Sequence, residues 1–272
     1  MQKLVYTEWL KMKGYNAFWW IMGLTALSYP GINYIFSMIY KNITENPTRA
    51  GEIAKMMIGN PFSFPEAWHT VTYFSSWFVF IPAVMVIMFI TNEYSYKTHR
   101  QNIIDGWSRD QFIASKLIDV LLVTLMITGL CALISFIAGT LNQERLIRET
   151  WDQVYYVGLF ALQTFSQLSV AFFIGFLVKK AFISLGVFLF YYIIFEPIIV
   201  GLLKEYGNDM GRFMPLELSD RLIPMPAFLG KLDKASYDNS LAAIGQHVLL
   251  TLLLTAIIWM ACFWINRRRD LK

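Results

Sequence analysis

Glu196 lies in the run YYIIFEPIIVGLL, an apolar stretch in which a carboxylate has little water to solvate it. Two uses suit such a group. It can contact a cationic substrate or a proton, or it can bond backbone groups freed by the neighbouring Pro197, or be protonated, and so hold a helix break. Gln163 and Gln167 stand one turn apart with Thr164 and Ser166 between them, which makes theirs the most polar of the apolar runs. Hydrogen bonding between helices is the favoured use of these amides, with a translocation path as the other. His69, His99 and His247 are far apart in sequence and are not expected to share a site. The chain has no GxxxxGK[ST] for phosphates, no HExxH for zinc and no GxSxG elbow. It reads as a non-enzyme with no cofactor or metal of its own; if ATP drives it, the nucleotide and its magnesium are bound by another polypeptide.

More functional groups gather in 93–116, EYSYKTHRQNIIDGWSRDQFIASK, a polar interval between two apolar runs. Glu93 closes the first run, and Lys97, His99, Arg100, Arg109 and Lys116 follow. Tyr96, Ile103, Ile104 and Trp107 can share one face of a short helix that Gly106 ends, and Ser108 can cap the next helix. Such a segment is a docking surface for a soluble partner. The alternative is a snorkelling interfacial turn whose charges only fix topology.

The elements that must hold these residues are membrane helices. Of the 272 residues 56% are hydrophobic, 17% aromatic and 15% charged, with a mean hydropathy of +0.47, which is too apolar for a soluble globular protein. The reading is an all-α, polytopic membrane protein forming one transmembrane domain over 1–272. Its six spans fall at about 16–40, 70–92, 112–140, 153–178, 181–203 and 244–265. Pro30 and Pro82 fall inside the first two, Pro30 with a kink expected, and Lys179-Lys180 makes the fourth and fifth antiparallel neighbours. Residues 1–15 suit an amphipathic interfacial helix, with Trp9 on its apolar face and Glu8 and Lys11 mostly elsewhere, its lysines toward lipid headgroups. Residues 41–69 read as an ordered exterior loop, and 204–244 as short helices folded onto the bundle. Cys131 and Cys262 lie in apolar runs as small hydrophobes.

Charge sets the orientation. Lys3, Lys11, Lys13, Lys97, Arg100, Arg109, Lys116, Lys179, Lys180, Arg267, Arg268, Arg269 and Lys272 all fall on one side of a six-span layout, so both termini are expected in the cytoplasm, with the chain in the plasma or inner membrane. The net charge of +4 is small and sits beside apolar runs, so nucleic acid is not an expected partner.

The order Glu93, Tyr96-Lys97-Thr98, Arg100-Gln101-Asn102-Ile103-Ile104, Gly106, Ser108-Arg109 and Ser115-Lys116-Leu117 resembles the cytoplasmic segment of ABC-2 type transporter permeases. In that family an acidic residue ends the second span, a Gly-Thr-type turn and an apolar pair follow, and a Ser-Arg pair precedes a lysine at the third span. Lys97 stands where the family often has glycine. The layout of nearly the whole chain is similar too. The resemblance implies an exporter permease that pairs with a second copy or paralogue and with two cytoplasmic ATPases. Their grooves would receive 93–109, and the N-terminal helix around Glu8, Trp9 and Lys11 would touch the same subunits. The rival expectation is an ion-coupled transporter or channel working without an ATPase through Glu196, Gln163 and Gln167.

Overall fold

A computed structural model describes residues 2–44, 59–143, 148–207, 209–230 and 233–268. Among these, every regular element is helical: α1 (Gln2–Lys13), α2 (Asn16–Thr44), α3 (Glu66–Ser76), α4 (Phe80–Ser95), α5 (Thr98–Ile104), α6 (Arg109–Leu141), α7 (Tyr155–Val178), α8 (Ala181–Phe190), α9 (Glu196–Glu205), α10 (Pro215–Asp220), α11 (Ala227–Gly230) and α12 (Lys234–Arg268). Residues 45–58 of the expected exterior loop at 41–69, together with Arg269 and Lys272, lie outside the described residues.

Helix α7 is the hub, packed against α3, α4, α6, α8, α10 and α12. Its inner face carries Phe160, Leu168, Phe172 and Phe176, all buried, and Phe172 stacks on Trp259 of α12 at 4.8 Å. Trp259 also donates from Nε1 to Ser169 Oγ at 2.9 Å, which satisfies the one polar atom of a large buried ring. Gly175 lets α4 and α7 touch, because a Cβ there would come within 2.7 Å of Ile90 Cγ2. The outer surface is apolar as well: Trp20, Leu27, Phe182, Ile198 and Leu252 are exposed, as a protein surrounded by lipid tails requires.

Four helical stretches are long and apolar enough to cross a membrane: α6, Glu149–Val178, Ala181–Glu205 and α12. The pair α3 and α4 makes a fifth if counted as one span. The expected span at 70–92 is thus not one straight helix. It breaks at Trp77-Phe78-Val79 and bends by 52°. Pro82 then occupies the first turn of α4, where a missing N–H leaves no intrahelical bond unmade. The expected span at 16–40 is a single helix running through Pro30, but Asn16, Thr25, Ser28, Asn33 and Ser37 dilute its apolar content and it falls outside that set.

The fifth apolar run, expected at 181–203, passes Glu196-Pro197 as one stretch, Ala181–Glu205, since a wider π turn at Tyr191–Phe195 absorbs the proline between α8 and α9. One boundary differs from the sequence reading. The last helix begins at Lys234, ten residues before the apolar run at 244, because Ala235, Leu241, Ala242 and Ala243 sustain the helix into polar surroundings. The short helices expected in 204–244 are present as a 3₁₀ turn (Asp209–Phe213), α10 and α11.

Candidate functional site

At the end of α4 the chain turns sharply into α5. Lys97 makes the turn with φ 58°, the left-handed region that glycine enters most easily, so this lysine adopts the backbone that a glycine would. Helix α5 folds back on α4: Thr98 Oγ1 donates to Glu93 Oε2 at 2.5 Å, and His99 Nδ1 lies 3.0 Å from the Glu93 carbonyl. Gly106, at φ 100°, ends the segment. Ser108 then caps α6 in a reciprocal box, its hydroxyl accepting from the Gln111 amide at 3.1 Å while Gln111 Oε1 accepts from the Ser108 amide at 2.8 Å. Both boundaries were legible in the residue types.

The centre of the site is an ammonium. Lys116, in the second turn of α6, is buried and lies 2.7 Å from Glu8 Oε2, 2.9 Å from Glu93 Oε1 and 3.0 Å from Asp119 Oδ2. Its three N–H donors therefore reach three carboxylates on α1, α4 and α6. Lys11 adds a second cation, 3.0 Å from Glu8 Oε1 and 3.3 Å from Glu93 Oε1, and stands 5.7 Å above the Trp107 ring. Burial alone would raise the Glu8 pKa, but Lys116 and Lys11 together hold this carboxyl below the usual range. Three carboxyl groups thus meet two ammonium groups at one place. A cavity of about 170 Å³ opens beside it.

The expected segment residues divide into two groups. Glu93 and Trp107 are tied to α1 through Lys11, and Arg109 is tied to α12: its Nη1 donates to the carbonyls of Asn266 and Arg267 at 3.2 and 2.9 Å, supplying the end of that helix with donors. Ile104 is 84% exposed, Tyr96 is exposed too, Ile103 and Arg100 are half-buried, and Arg100 Nε has no partner among the described residues. So α5 presents an uncovered apolar side chain at the surface, while both of its flanks are anchored.

The N-terminal helix differs from expectation. Glu8 is 1% exposed and faces inward, and Lys11 reaches across to Glu93 rather than toward lipid headgroups, because a buried Lys116 requires counter-charge. Trp9 packs edge-on to Phe18 at 6.2 Å. Asp119 was missed in the sequence, although an acid three residues after Lys116 in an apolar helix is a readable signal.

The remaining expected residues lie at the opposite end of the bundle and hold α10 down. Glu196 Oε1 accepts from the amides of Leu216 and Glu217 at 2.7 and 2.6 Å, so it caps α10. Gln163 and Gln167 both donate to Asp220 Oδ1, at 2.7 and 2.6 Å. His69 and His247 are at this end also, His69 with its Nε2 2.7 Å from the Pro224 carbonyl, and His99 is at the other. Among the described residues no group of three or more His, Cys, Asp or Glu side chains is placed to hold a metal ion.

Apolar helices of membrane-crossing length, a lipid-facing surface and charge confined to the two ends define an all-helical, multi-pass membrane protein. Residues 52–272 match a family described as a protein of unknown function (DUF2705), and the chain belongs to that family. The match includes Glu93, Lys116 and Asp119 but stops short of Glu8 and Lys11. No curated protein matches the chain.

Proposed function

We propose that this chain is the permease subunit of an ATP-binding-cassette exporter, moving a peptide, antibiotic, lipid-like or other small cargo out of the cytoplasm. ATP and magnesium bind on separate cytoplasmic ATPase subunits, and the permease works as a pair with a second copy or a paralogue. In this reading α2 completes a six-span bundle with both termini in the cytoplasm, in the cell membrane.

The observation that carries the proposal is the mounting of α5. An uncovered short helix, with Ile104 outermost, sits between two long helices, and the buried Lys116 cluster ties its start to α1 and α6 while Arg109 ties its far side to α12. A push on α5 by a closing ATPase pair would reach four helices at once, through packed and ion-paired contacts. The rival, ion-coupled transport, would use Glu196, Gln163 and Gln167, each of which bonds α10 through one polar atom and has an oxygen buried without a hydrogen-bond partner among the described residues.

Co-expression with any ABC ATPase encoded in a neighbouring reading frame, followed by reconstitution, tests the class. The exporter reading expects a stable complex whose ATP hydrolysis is uncoupled by substitution of Glu93, Arg100 or Arg109. Gradient-driven ion flux by the purified chain alone, with no complex formed, would favour the rival.

A further inference from the structure

At the end of the bundle away from α1, the end of α9, the 3₁₀ turn, α10 and the first turns of α12 enclose a cavity of about 670 Å³. That is the size of a small-molecule site. Two of its anions are already engaged. Arg221 donates from Nε to Glu217 Oε1 at 2.7 Å, and from Nη2 and Nη1 to the two oxygens of Asp209 at 2.8 and 3.2 Å. A third, Asp233, accepts from the Ser236 amide at 3.2 Å, at the start of α12.

The cations are less well served. Lys204 has no partner among the described residues, and Arg212 reaches Asp209 only at 3.6 Å. Arg212 Nε is buried with no acceptor, and His247, 4% exposed, leaves its buried Nδ1 unpartnered among the same residues. All three side chains line this one cavity, and Met225, Leu229 and Ala243 give it an apolar wall. Arg212 Nε is a buried donor without an acceptor, which is costly, and His247 Nδ1 can donate in one tautomer, so an anionic oxygen beside the hydrocarbon surface would serve both.

We propose that this cavity binds the phosphate group of an amphipathic ligand, with Arg212, Lys204 and His247 donating to its oxygens and the apolar wall taking the hydrocarbon. Arginine suits phosphate because its planar donors match the oxygen geometry, and an ammonium adds charge without geometric demand. The group can come from a lipid of the adjoining leaflet or from a soluble phosphate compound, and the experiment separates the two.

The chain has three histidines, so imidazole ¹⁵N signals of the full-length protein in maltoside micelles can be assigned by two variants, H247Q and H99Q. Titration with short-chain phosphatidylglycerol, and separately with inorganic phosphate, should move the His247 signal saturably while the His69 signal, buried against Tyr156, stays as a reporter of intact fold. Arg212→Gln and Lys204→Gln should each weaken binding about tenfold, the loss of one charge-assisted hydrogen bond, and Lys41→Gln, exposed and outside the cavity, should leave it unchanged. Saturation by lipid alone identifies a headgroup site, and saturation by inorganic phosphate as well identifies a site for the free anion. No saturable shift with either probe, or one that both substitutions leave intact while His69 is unmoved, overturns the proposal. The measurement uses no ATPase, so its failure is distinct from failure of the exporter reading.

Discussion

Lys116 Nζ and Glu8 Oε2 lie 2.7 Å apart across 108 residues of chain, and both side chains are almost wholly buried. An ion pair so placed is strong only while intact. Taking two charges out of water costs several kcal/mol per ion, recovered by the close partners, so removal of one partner exposes the whole desolvation cost of the other. The pair thus works as a joint between the N-terminal helix and α6.

Lys116→Met, which leaves Glu8, Glu93 and Asp119 facing one another, should lower stability by about 3–5 kcal/mol. Asp119→Asn should cost clearly less, because Glu8 and Glu93 remain to pair the two ammonium groups. Denaturant unfolding in detergent gives the ranking. Equal costs would mean that the cluster does not act as a charge-balanced unit.

Acid should loosen the same joint. The Glu8 carboxyl is held below its ordinary range in the folded chain, so it contributes stability above the unfolded value of about 4.3, and that contribution is lost as pH falls through the lower folded value. Glu8→Gln should therefore flatten the acid limb of a stability profile recorded from pH 6 downward. A variant with an unchanged acid limb would show that Glu8 is not held charged by its neighbours.

The turn at Lys97 offers a test of backbone strain. A left-handed residue other than glycine costs about 1–2 kcal/mol, partly offset by the extra freedom glycine has when unfolded. Lys97→Gly should raise the melting temperature by a few degrees, and Lys97→Val, with a branched Cβ at φ 58°, should lower it. The opposite order would place the turn in another conformation.

Glu196 is predicted to be a cap. Glu196→Leu should leave the Leu216 and Glu217 amides without their acceptor and cost about 1–3 kcal/mol, with faster hydrogen exchange confined to α10 and its surroundings. Unchanged exchange there would free Glu196 for a role in transport.

Residue types alone located most helices, because the long apolar runs at 112–140, 153–178 and 181–203 admit little else in a membrane, and they located the Gly106 and Ser108 boundaries, because those two residues have few other uses at such positions. They did not show the bend at Trp77-Phe78-Val79, whose residues are as apolar as those on either side, nor the inward turn of Glu8, which depends on a lysine 108 positions away. The partner of Gln163 and Gln167 was hidden for the same reason: Asp220 looks like an ordinary loop acid until α10 is folded against α7. Periodicity reports local structure, whereas buried charge finds its partner through the tertiary fold.

Docking of an ATPase on α5 is the central claim, and site-directed cross-linking tests it most directly. Both native cysteines, Cys131 and Cys262, are buried, so a single cysteine placed at Ile104 can carry a photoreactive probe in the complex with the proposed ATPase. Tyr206, equally exposed at the far end of the bundle, is the control position. The account predicts capture of the ATPase from position 104, with a yield that changes when ATP is added, and none from position 206. No capture from 104 in a complex that otherwise forms, or equal capture from both positions, would contradict it.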